Sequence, residues 1–454
     1  MRASVTVLAA LCLVATALAQ MGPEMGMMGM GFAPAKVIDV APVFSADGAN
    51  IMFSRVHASL TGNEWAVSPV QGGMGMMGGE MGMMGGIPGM MGPEMGGMPG
   101  GMPGMGMGGA PDLSKEGIFR VATRGGEAAS VVGGRAVIQD AAAGQLCYVF
   151  QGTGAQNYQQ WGIYGMKFGG ADNDRWYPAI MPWIRLSPKG DLFAIPYDQG
   201  KAVVFFPAQA NTTQNAGFCP VEDRKNPVNW LASGDGIWLV QQENKQGQGG
   251  GMPGGMMPGM MGPEMGMGMG MGMGMGMTTA YHIAKGTLAQ QVTPVVKDVG
   301  KDSMAVSLPN GTDIVASIGK VQTAGASDPN AGIWLCDQTG AKKRRLASDT
   351  ALAMEASPDG RFVAYMWGAK APYTLSVAPV DGRPVRRVGF SLSGIVSGCK
   401  PFSWSPDSRK LAFGAEDGTG YGIFVVDIET GDSSRITTAS TKNTGTAAPA
   451  GAGG

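Results

Sequence analysis

The chain has 454 residues, and its charge is nearly balanced, with 33 lysines and arginines against 34 aspartates and glutamates. This balance gives no overall basic field to attract nucleic acid, and no stretch after residue 19 approaches the roughly 20 apolar residues of a membrane-spanning helix. Methionine is the unusual component, because 30 of the 37 methionines fall in three glycine-rich tracts at 21–31, 73–109 and 251–277.

The N-terminus has the features of an export signal. Arg2 precedes an apolar run from Ala3 to Ala19, and Ala17-Leu18-Ala19 supplies the small residues of a cleavage site. Residues 1–19 are therefore predicted to be a signal peptide. We expect the mature protein to be periplasmic or extracellular.

Residues 20–35 form a short Gly/Met-rich segment that contains the first copy of the hexapeptide Met-Gly-Pro-Glu-Met-Gly. The hexapeptide recurs in the two later tracts, and its three copies lie at 21–26, 91–96 and 261–266. Glycine is too flexible, and methionine too unpatterned, for a helix or a strand to be favoured here. We expect the tracts to be disordered.

A turn motif recurs in front of short apolar strands between the tracts. Its clearest copies are Ser357-Pro358-Asp359-Gly360 and Ser405-Pro406-Asp407-Ser408, which begin 48 residues apart. Proline at the second position and glycine at the fourth favour a type I turn. Each copy continues through an apolar strand, a second strand, a tight turn and a short final strand. This order is typical of a four-stranded antiparallel meander.

Weaker copies of the unit occur upstream, near residues 43, 137, 186, 233 and 308. Four-stranded units repeated at this interval close into a β-propeller, in which radial packing protects the sheet edges. The sequence therefore predicts an all-β fold over residues 36–438. We expect a propeller of seven, alternatively six, four-stranded blades with disordered Gly/Met-rich insertions at 73–109 and 251–277. A disordered tail at 439–454 follows.

The last two units carry a resemblance to a known family. The run from Phe402 to Phe413, Phe-Ser-Trp-Ser-Pro-Asp-Ser-Arg-Lys-Leu-Ala-Phe, and the strand from Gly422 to Asp427 resemble the WD40-like repeat of TolB-type propellers. The same repeat builds the propeller of dipeptidyl-peptidase-like proteins. The resemblance implies a propeller scaffold. TolB also has an N-terminal α/β domain, and residues 20–36 are too short to form one.

The repeat also predicts where the tracts leave the scaffold. The second tract follows the strand at 51–53 and precedes one at 117–121, and the third lies between strands at 237–240 and 279–283. Both are thus predicted to be insertions between the second and third strands of a blade. All three tracts should project from one side of the disc.

Four explanations for the methionines are open: neutral expansion at permissive loops, capture of Cu(I) or Ag(I), absorption of oxidants, and an adhesive surface. Thioethers suit soft metals and, unlike thiolates, need not lose a proton to bind. The candidate metal ligands are two methionines from each hexapeptide and the two histidines of the chain: Met21, Met25, Met91, Met95, Met261, Met265, His57 and His282. No other cofactor is expected.

Aromatic residues concentrate around the junction of the second and third units. Aromatic side chains at propeller loops can anchor a protein partner, or they can be core between blades, as we expect for Trp183 and Trp404. The candidate partner-binding residues are Trp161, Tyr164, Trp176, Tyr177, Trp367 and Tyr421.

Catalytic motifs are absent from the sequence, which has no G-x-S-x-G nucleophile elbow and only two histidines. Cys147, Cys219, Cys336 and Cys399 are widely spaced, and the choice between buried thiols and a disulfide stays open. We therefore expect an exported, non-catalytic propeller that binds a protein or cell-envelope component through the face that carries the tracts. The alternative is a soft-metal-binding protein on the same scaffold, and a weaker alternative is a propeller enzyme of unknown chemistry.

Overall fold

The computed structural model describes residues 36–61, 64–67, 113–152, 158–197, 201–221, 228–245, 278–319, 328–392, 394–396 and 398–437. The predicted signal peptide, the three methionine tracts and the predicted tail lie outside these residues. Within the described ranges, the helices are two 3-10 turns, Leu113–Lys115 and Tyr158–Gln160. No helix in these ranges is long and apolar enough to cross a membrane.

Strands pair in chain order into seven antiparallel four-stranded blades. Blade 1 consists of Lys36–Phe44, Asn50–Thr61, Gly117–Ala122 and Ala129–Gly133. Blade 2 consists of Ala136–Ala142, Gln145–Phe150, Gly162–Lys167 and Asp174–Tyr177. Blade 3 consists of Arg185–Leu186, Leu192–Tyr197, Ala202–Pro207 and Gly217–Pro220. Blade 4 consists of Asn229–Trp230, Gly236–Lys245, Thr278–Thr287 and Val292–Val299.

The remaining blades follow the same order. Blade 5 consists of Met304–Ser307, Asp313–Ile318, Gly332–Asp337 and Lys342–Ala347. Blade 6 consists of Ala353–Ala356, Phe362–Trp367, Tyr373–Pro379 and Arg386–Leu392. Blade 7 consists of Phe402–Trp404, Lys410–Asp417, Gly420–Asp427 and Ser433–Arg435. The seven-bladed propeller is confirmed, and the six-bladed alternative is wrong.

The repeated turn joins strands 1 and 2 of a blade, and its serine explains why the motif is specific. In blade 6 the Ser357 hydroxyl donates to Asp359 Oδ1 at 2.7 Å and accepts the Phe362 amide at 3.0 Å. The Gly360 amide donates to the Ser357 carbonyl at 2.9 Å. Gly360 has a φ of 70°, a left-handed conformation that glycine adopts without a Cβ penalty.

These turns meet their neighbours around one face of the ring, which we call the turn face. The Asp359 amide of blade 6 donates to the Ser408 hydroxyl of blade 7 at 3.0 Å. A Cβ on Gly48 of blade 1 would lie 3.6 Å from Pro406 Cδ of blade 7. Because successive strands alternate in direction, the hairpins between strands 2 and 3 and the connections between blades lie on the opposite face. We call that face the insertion face.

Two of the hairpins on the insertion face contain long segments. In blade 1, Arg55 pairs with Gly117, and in blade 4, Lys245 pairs with Thr278. These pairs put residues 68–112 and 246–277 between strands 2 and 3 of their blades. A short stem strand, Glu64–Val67, folds back and pairs antiparallel with the end of strand 2 in blade 1, just before the first of these segments.

Apolar side chains fill the spaces between adjacent blades. Trp183 and Trp404 are buried there, as expected from the sequence. Strand 1 of each blade is the innermost strand, because it pairs on one side only and contacts strand 1 of a neighbouring blade. The inner strands therefore surround the central channel.

Candidate functional site

Three aromatic side chains stand at strand ends on the insertion face where blades 2 and 3 meet. Trp161 precedes strand 3 of blade 2, Tyr177 ends strand 4 of that blade, and Tyr197 ends strand 2 of blade 3. Trp161 and Tyr177 are half-buried, and Tyr197 is 45% exposed. We call these three residues the blade 2–3 rim.

Hydrogen bonds from neighbouring strands hold the rim in place. The Arg175 guanidinium donates to the Gln159 carbonyl at 2.7 Å and to the Trp161 carbonyl at 2.6 Å, which fixes the turn that carries Trp161. The Tyr164 hydroxyl donates to the Gln160 carbonyl of the same turn at 2.9 Å. A pre-ordered aromatic surface loses little conformational entropy when a partner binds.

Tyr177 is the link between the two blades of the rim. Its ring packs against Phe206 of blade 3 with the ring centroids 5.0 Å apart. Burial raises the pKa of Tyr177, and the nearby Tyr197 hydroxyl raises it further. The Tyr177 phenol is therefore an uncharged hydrogen-bonding group near neutral pH beside an apolar surface, a combination that is enriched at protein interfaces.

The other candidate aromatics have different surroundings. Tyr164 is buried and stacks on Tyr148, with the ring centroids 5.6 Å apart, and Trp176 is buried against Phe193 at 5.7 Å. Tyr421 is also buried, and its hydroxyl donates to the Gly414 carbonyl at 3.2 Å. These three side chains pack within the propeller, so they support the surface rather than form it.

Trp367 lies apart from the rim, at the end of strand 2 of blade 6. It is half-buried, its indole nitrogen donates to Ser376 Oγ at 3.1 Å, and the Arg387 guanidinium lies 5.3 Å from its ring centroid.

Two of the large apolar side chains that the structure exposes, Tyr197 and Leu352, were not among the residues predicted from the sequence. The position of Tyr197, at the end of an apolar strand and next to a loop, could have indicated it.

A cluster of polar side chains lies in the central channel. Four side chains occupy the same register position, opposite the third residue of strand 2 in their blades: Arg185, Asn229, Glu355 and Ser403. The repeat therefore places different polar groups at one level of the channel. Asp140 of blade 2 is buried close by, and its Oδ2 accepts the Leu186 amide at 2.9 Å.

Lys400 joins this cluster from the connection between blades 6 and 7. Its ammonium nitrogen lies 2.7 Å from Asp140 Oδ1 and 3.4 Å from Glu355 Oε1. Burial lowers the pKa of Lys400, but attraction to Asp140 and Glu355 outweighs this and raises it overall. Burial raises the pKa of Glu355, because the more distant contact with Lys400 only partly offsets the loss of solvent. Lys400 is therefore a permanent charge that bridges blades 2 and 6.

The space beside this cluster is small. A cavity of about 20 Å³ lies between strand 1 of blade 1 and the connection that carries Lys400, and Val40, Cys399 and Tyr421 contribute to its wall. Such a volume holds roughly one water molecule, whereas pockets for drug-sized ligands reach about 300–1,000 Å³. The cavity therefore suits a buried water molecule better than a substrate.

The predicted metal ligands are only partly within the described residues. Met21, Met25, Met91, Met95, Met261 and Met265 all lie outside them. His57 Nδ1 lies 3.0 Å from Glu116 Oε1, and His282 Nε2 lies 2.8 Å from Glu243 Oε2. The two imidazoles belong to blades 1 and 4, so the structure does not bring them together. The described part of the chain holds no group of three His, Cys, Asp or Glu side chains suited to a metal ion.

The cysteines that the sequence left open are free thiols. Cys147, Cys219, Cys336 and Cys399 are all buried, and burial raises the pKa of each. A buried thiol with a raised pKa is a poor nucleophile, because the thiolate is the reactive form.

Seven four-stranded blades around a polar channel define the chain as a β-propeller. No protein-family model matches the sequence, and no curated protein matches it. Among solved structures, the chain is similar to TolB from Acinetobacter baumannii, with 13% identity, a TM-score of 0.41 and coverage of 64% of this chain and 63% of TolB. The chain thus spans less than two thirds of TolB.

Two other solved propellers show the range of proteins with this fold. The propeller domain of the Trilobed protease from Pyrococcus furiosus has 9% identity and a TM-score of 0.49, with coverage of 90% of this chain and 100% of the domain. An oligogalacturonate lyase in complex with manganese has 12% identity and a TM-score of 0.40, with coverage of 64% of this chain and 73% of the lyase. The similar structures include enzymes, so the likeness concerns fold and does not extend to function.

Proposed function

We propose that this chain is an exported, non-catalytic propeller that binds a protein or a cell-envelope component through its insertion face. The observation that carries the proposal is the blade 2–3 rim, where Tyr197 is 45% exposed next to Trp161 and Tyr177. Rigid aromatic anchors contribute a large share of the binding energy in many protein interfaces. Export is supported by the apolar run from Ala3 to Ala19.

The surroundings of the described cysteines and histidines support a binding role. The described cysteines are buried thiols, and both histidines are held beside glutamates rather than beside a nucleophile. The small cavity next to Lys400 does not have the volume of a substrate pocket. The rim, in contrast, is a surface feature that an extended or folded polypeptide can cover.

The proposal is tested with the mature chain immobilised and exposed to an envelope extract of the host. The retained protein is identified, purified and titrated against wild type and the double variant Trp161→Ser/Tyr197→Ser. We expect at least a tenfold loss of affinity in this variant, because both changes remove aromatic surface from the interface.

Phe218 offers a matched control for this experiment. It is an aromatic residue of blade 3 that is 40% exposed, and it lies on the outer strand rather than at the rim. Phe218→Ser should bind like wild type. Equal losses in both variants, or no loss in the rim variant, would refute the assignment of the rim as the binding surface.

Soft-metal binding is the alternative proposal, and it rests on composition. The tracts hold 30 methionines, whose thioethers match Cu(I) and Ag(I) in softness. Titration of the purified chain with Cu(I) against a competing chelator tests it. Binding of at least one ion per tract in competition with the chelator supports metal capture, and weaker or substoichiometric binding excludes it.

A further inference from the structure

Within the described residues, no strand is shared between the two ends of the ring. Blade 1 contains only residues between 36 and 133, and blade 7 contains only residues between 402 and 435. The junction between them, which we call the seam, therefore depends on packing and on side-chain contacts. One such contact is the exposed ion pair between Lys36 and Glu416 at 3.1 Å, and exposed pairs contribute little because water and salt screen their charges.

The connection between blades 6 and 7 crosses this seam. Within it, Ile395 pairs with Glu64 and Val396 pairs with Trp65, in a parallel arrangement with the stem strand of blade 1. Among the described residues, this is the one strand pairing that joins different blades. We call residues 394–396 and 398–401 the strap.

Beyond this pairing, the strap reaches blades 2 and 3. The Arg185 guanidinium of blade 3 donates to the Gly398 carbonyl at 2.8 Å, and the Gln139 amide of blade 2 donates to Cys399 Sγ at 3.4 Å. Gly398 has a φ of 82°, and a Cβ at this position would overlap the Pro182 carbonyl oxygen. The strap thus fits closely against the inner strands, and its path requires glycine at 398.

Lys400 anchors the end of the strap. Its ammonium contacts Asp140 at 2.7 Å and Glu355 at 3.4 Å, and these carboxylates belong to blades 2 and 6. Blades 7 and 1 lie between those two blades on one side of the ring. A single side chain therefore spans the seam from the channel side, in a setting where charges are screened much less than on the surface.

We infer that the strap is a latch that closes the propeller ring, with Lys400 as its anchor. The latch takes the place of a strand shared between the two ends of the ring, which the described part of the chain does not contain. It also connects the channel cluster to the stem strand that precedes residues 68–112, so the base of that insertion and the closure of the ring form one cooperative unit.

Hydrogen exchange measured by mass spectrometry on the mature chain tests the latch. The variant Lys400→Met keeps the length of the side chain and removes its charge, and Lys410→Met in blade 7 is the matched control. We expect exchange at least tenfold faster in 36–44 and 402–435, the strands on either side of the seam, with 313–318 of blade 5 unchanged. The control should exchange like wild type.

A second variant keeps the test informative if Lys400→Met fails to fold. Lys400→Met/Asp140→Asn/Glu355→Gln removes the uncompensated acids, so it should fold and still lack the anchor. Faster exchange confined to the seam supports the latch in either variant. Seam exchange like that of wild type, or the same acceleration in blade 5 as at the seam, would overturn it.

Discussion

A buried ion pair between blades 1 and 2 gives a sharp prediction about stability. Glu116 precedes strand 3 of blade 1, Arg135 precedes strand 1 of blade 2, and both side chains are 0% exposed. Two contacts of 2.7 Å join the guanidinium to the carboxylate. Glu116 Oε1 also accepts the His57 amide at 2.9 Å. The pair therefore fixes the base of the first insertion against the next blade.

The variant Arg135→Met removes the cation and leaves the carboxylate buried. Loss of one partner from a buried pair costs about 3–5 kcal/mol, because the remaining carboxylate stays cut off from solvent after it has lost the guanidinium. Its contacts with the His57 amide and imidazole remain. Urea unfolding followed by tryptophan fluorescence should show a decrease of this size in the free energy of unfolding. The double variant Glu116→Gln/Arg135→Met should recover much of it, since no buried charge is left.

An exposed pair supplies the control for this prediction. Arg383 lies 2.8 Å from Asp381 on the surface of blade 6, and both side chains are exposed. Arg383→Met should leave the free energy of unfolding close to that of the wild type, because water screens exposed ion pairs. A loss of stability in Arg135→Met no larger than that in Arg383→Met would contradict the stabilising role of the buried pair. A double variant as unstable as Arg135→Met alone would contradict it as well.

Three further predictions concern a tightly packed glycine, the buried thiols and a carboxylate with a lowered pKa. Gly165→Ala should destabilise blade 2 strongly, because its Cβ would overlap the Trp176 ring, whereas Gly418→Ala has open space and should melt like wild type. A thiol reagent should modify none of the mature cysteines before denaturant is added and all four afterwards, since burial raises the pKa of Cys219 and Cys336 to about 11 and of Cys399 to about 12. The Ser405 hydrogen bond holds the pKa of Asp407 below 3.8, so this carboxylate contributes stability above pH 3.8 that is lost as the pH falls through its folded pKa. Asp407→Asn should therefore reduce the slope of unfolding free energy against pH below about pH 4 in acid titrations.

The fold could be predicted from the sequence because its main signal is local. Ser357 to Gly360 contains every group that the turn needs, including the hydroxyl that caps it and the glycine with positive φ. Related turns recur upstream in weaker form, and blade 2 joins its first two strands through Ala143 and Gly144 without the serine, so the repeat predicts seven blades and leaves six as an alternative. Antiparallel pairing then determines which loops share a face.

The functional site was harder to predict, because burial depends on residues that are distant in the sequence. Tyr164 and Trp176 belong to the aromatic cluster that the sequence shows, but they stack on Tyr148 and Phe193 and are buried. The role of Lys400 depends on Asp140, which is 260 positions away in the chain. No local pattern can indicate such a contact. Two residues of the rim, Trp161 and Tyr177, are among the partner-binding residues predicted from the sequence, and Tyr197 is not.

Binding of a partner to the insertion face can be tested by site-specific photocrosslinking in the host. A photoreactive amino acid is placed at Tyr197 on the insertion face or at Thr430, an exposed position on the turn face. If a partner binds the insertion face, we expect a defined covalent adduct from position 197 and none from position 430. Adducts of equal yield from both positions, or an adduct from position 430 alone, would contradict it.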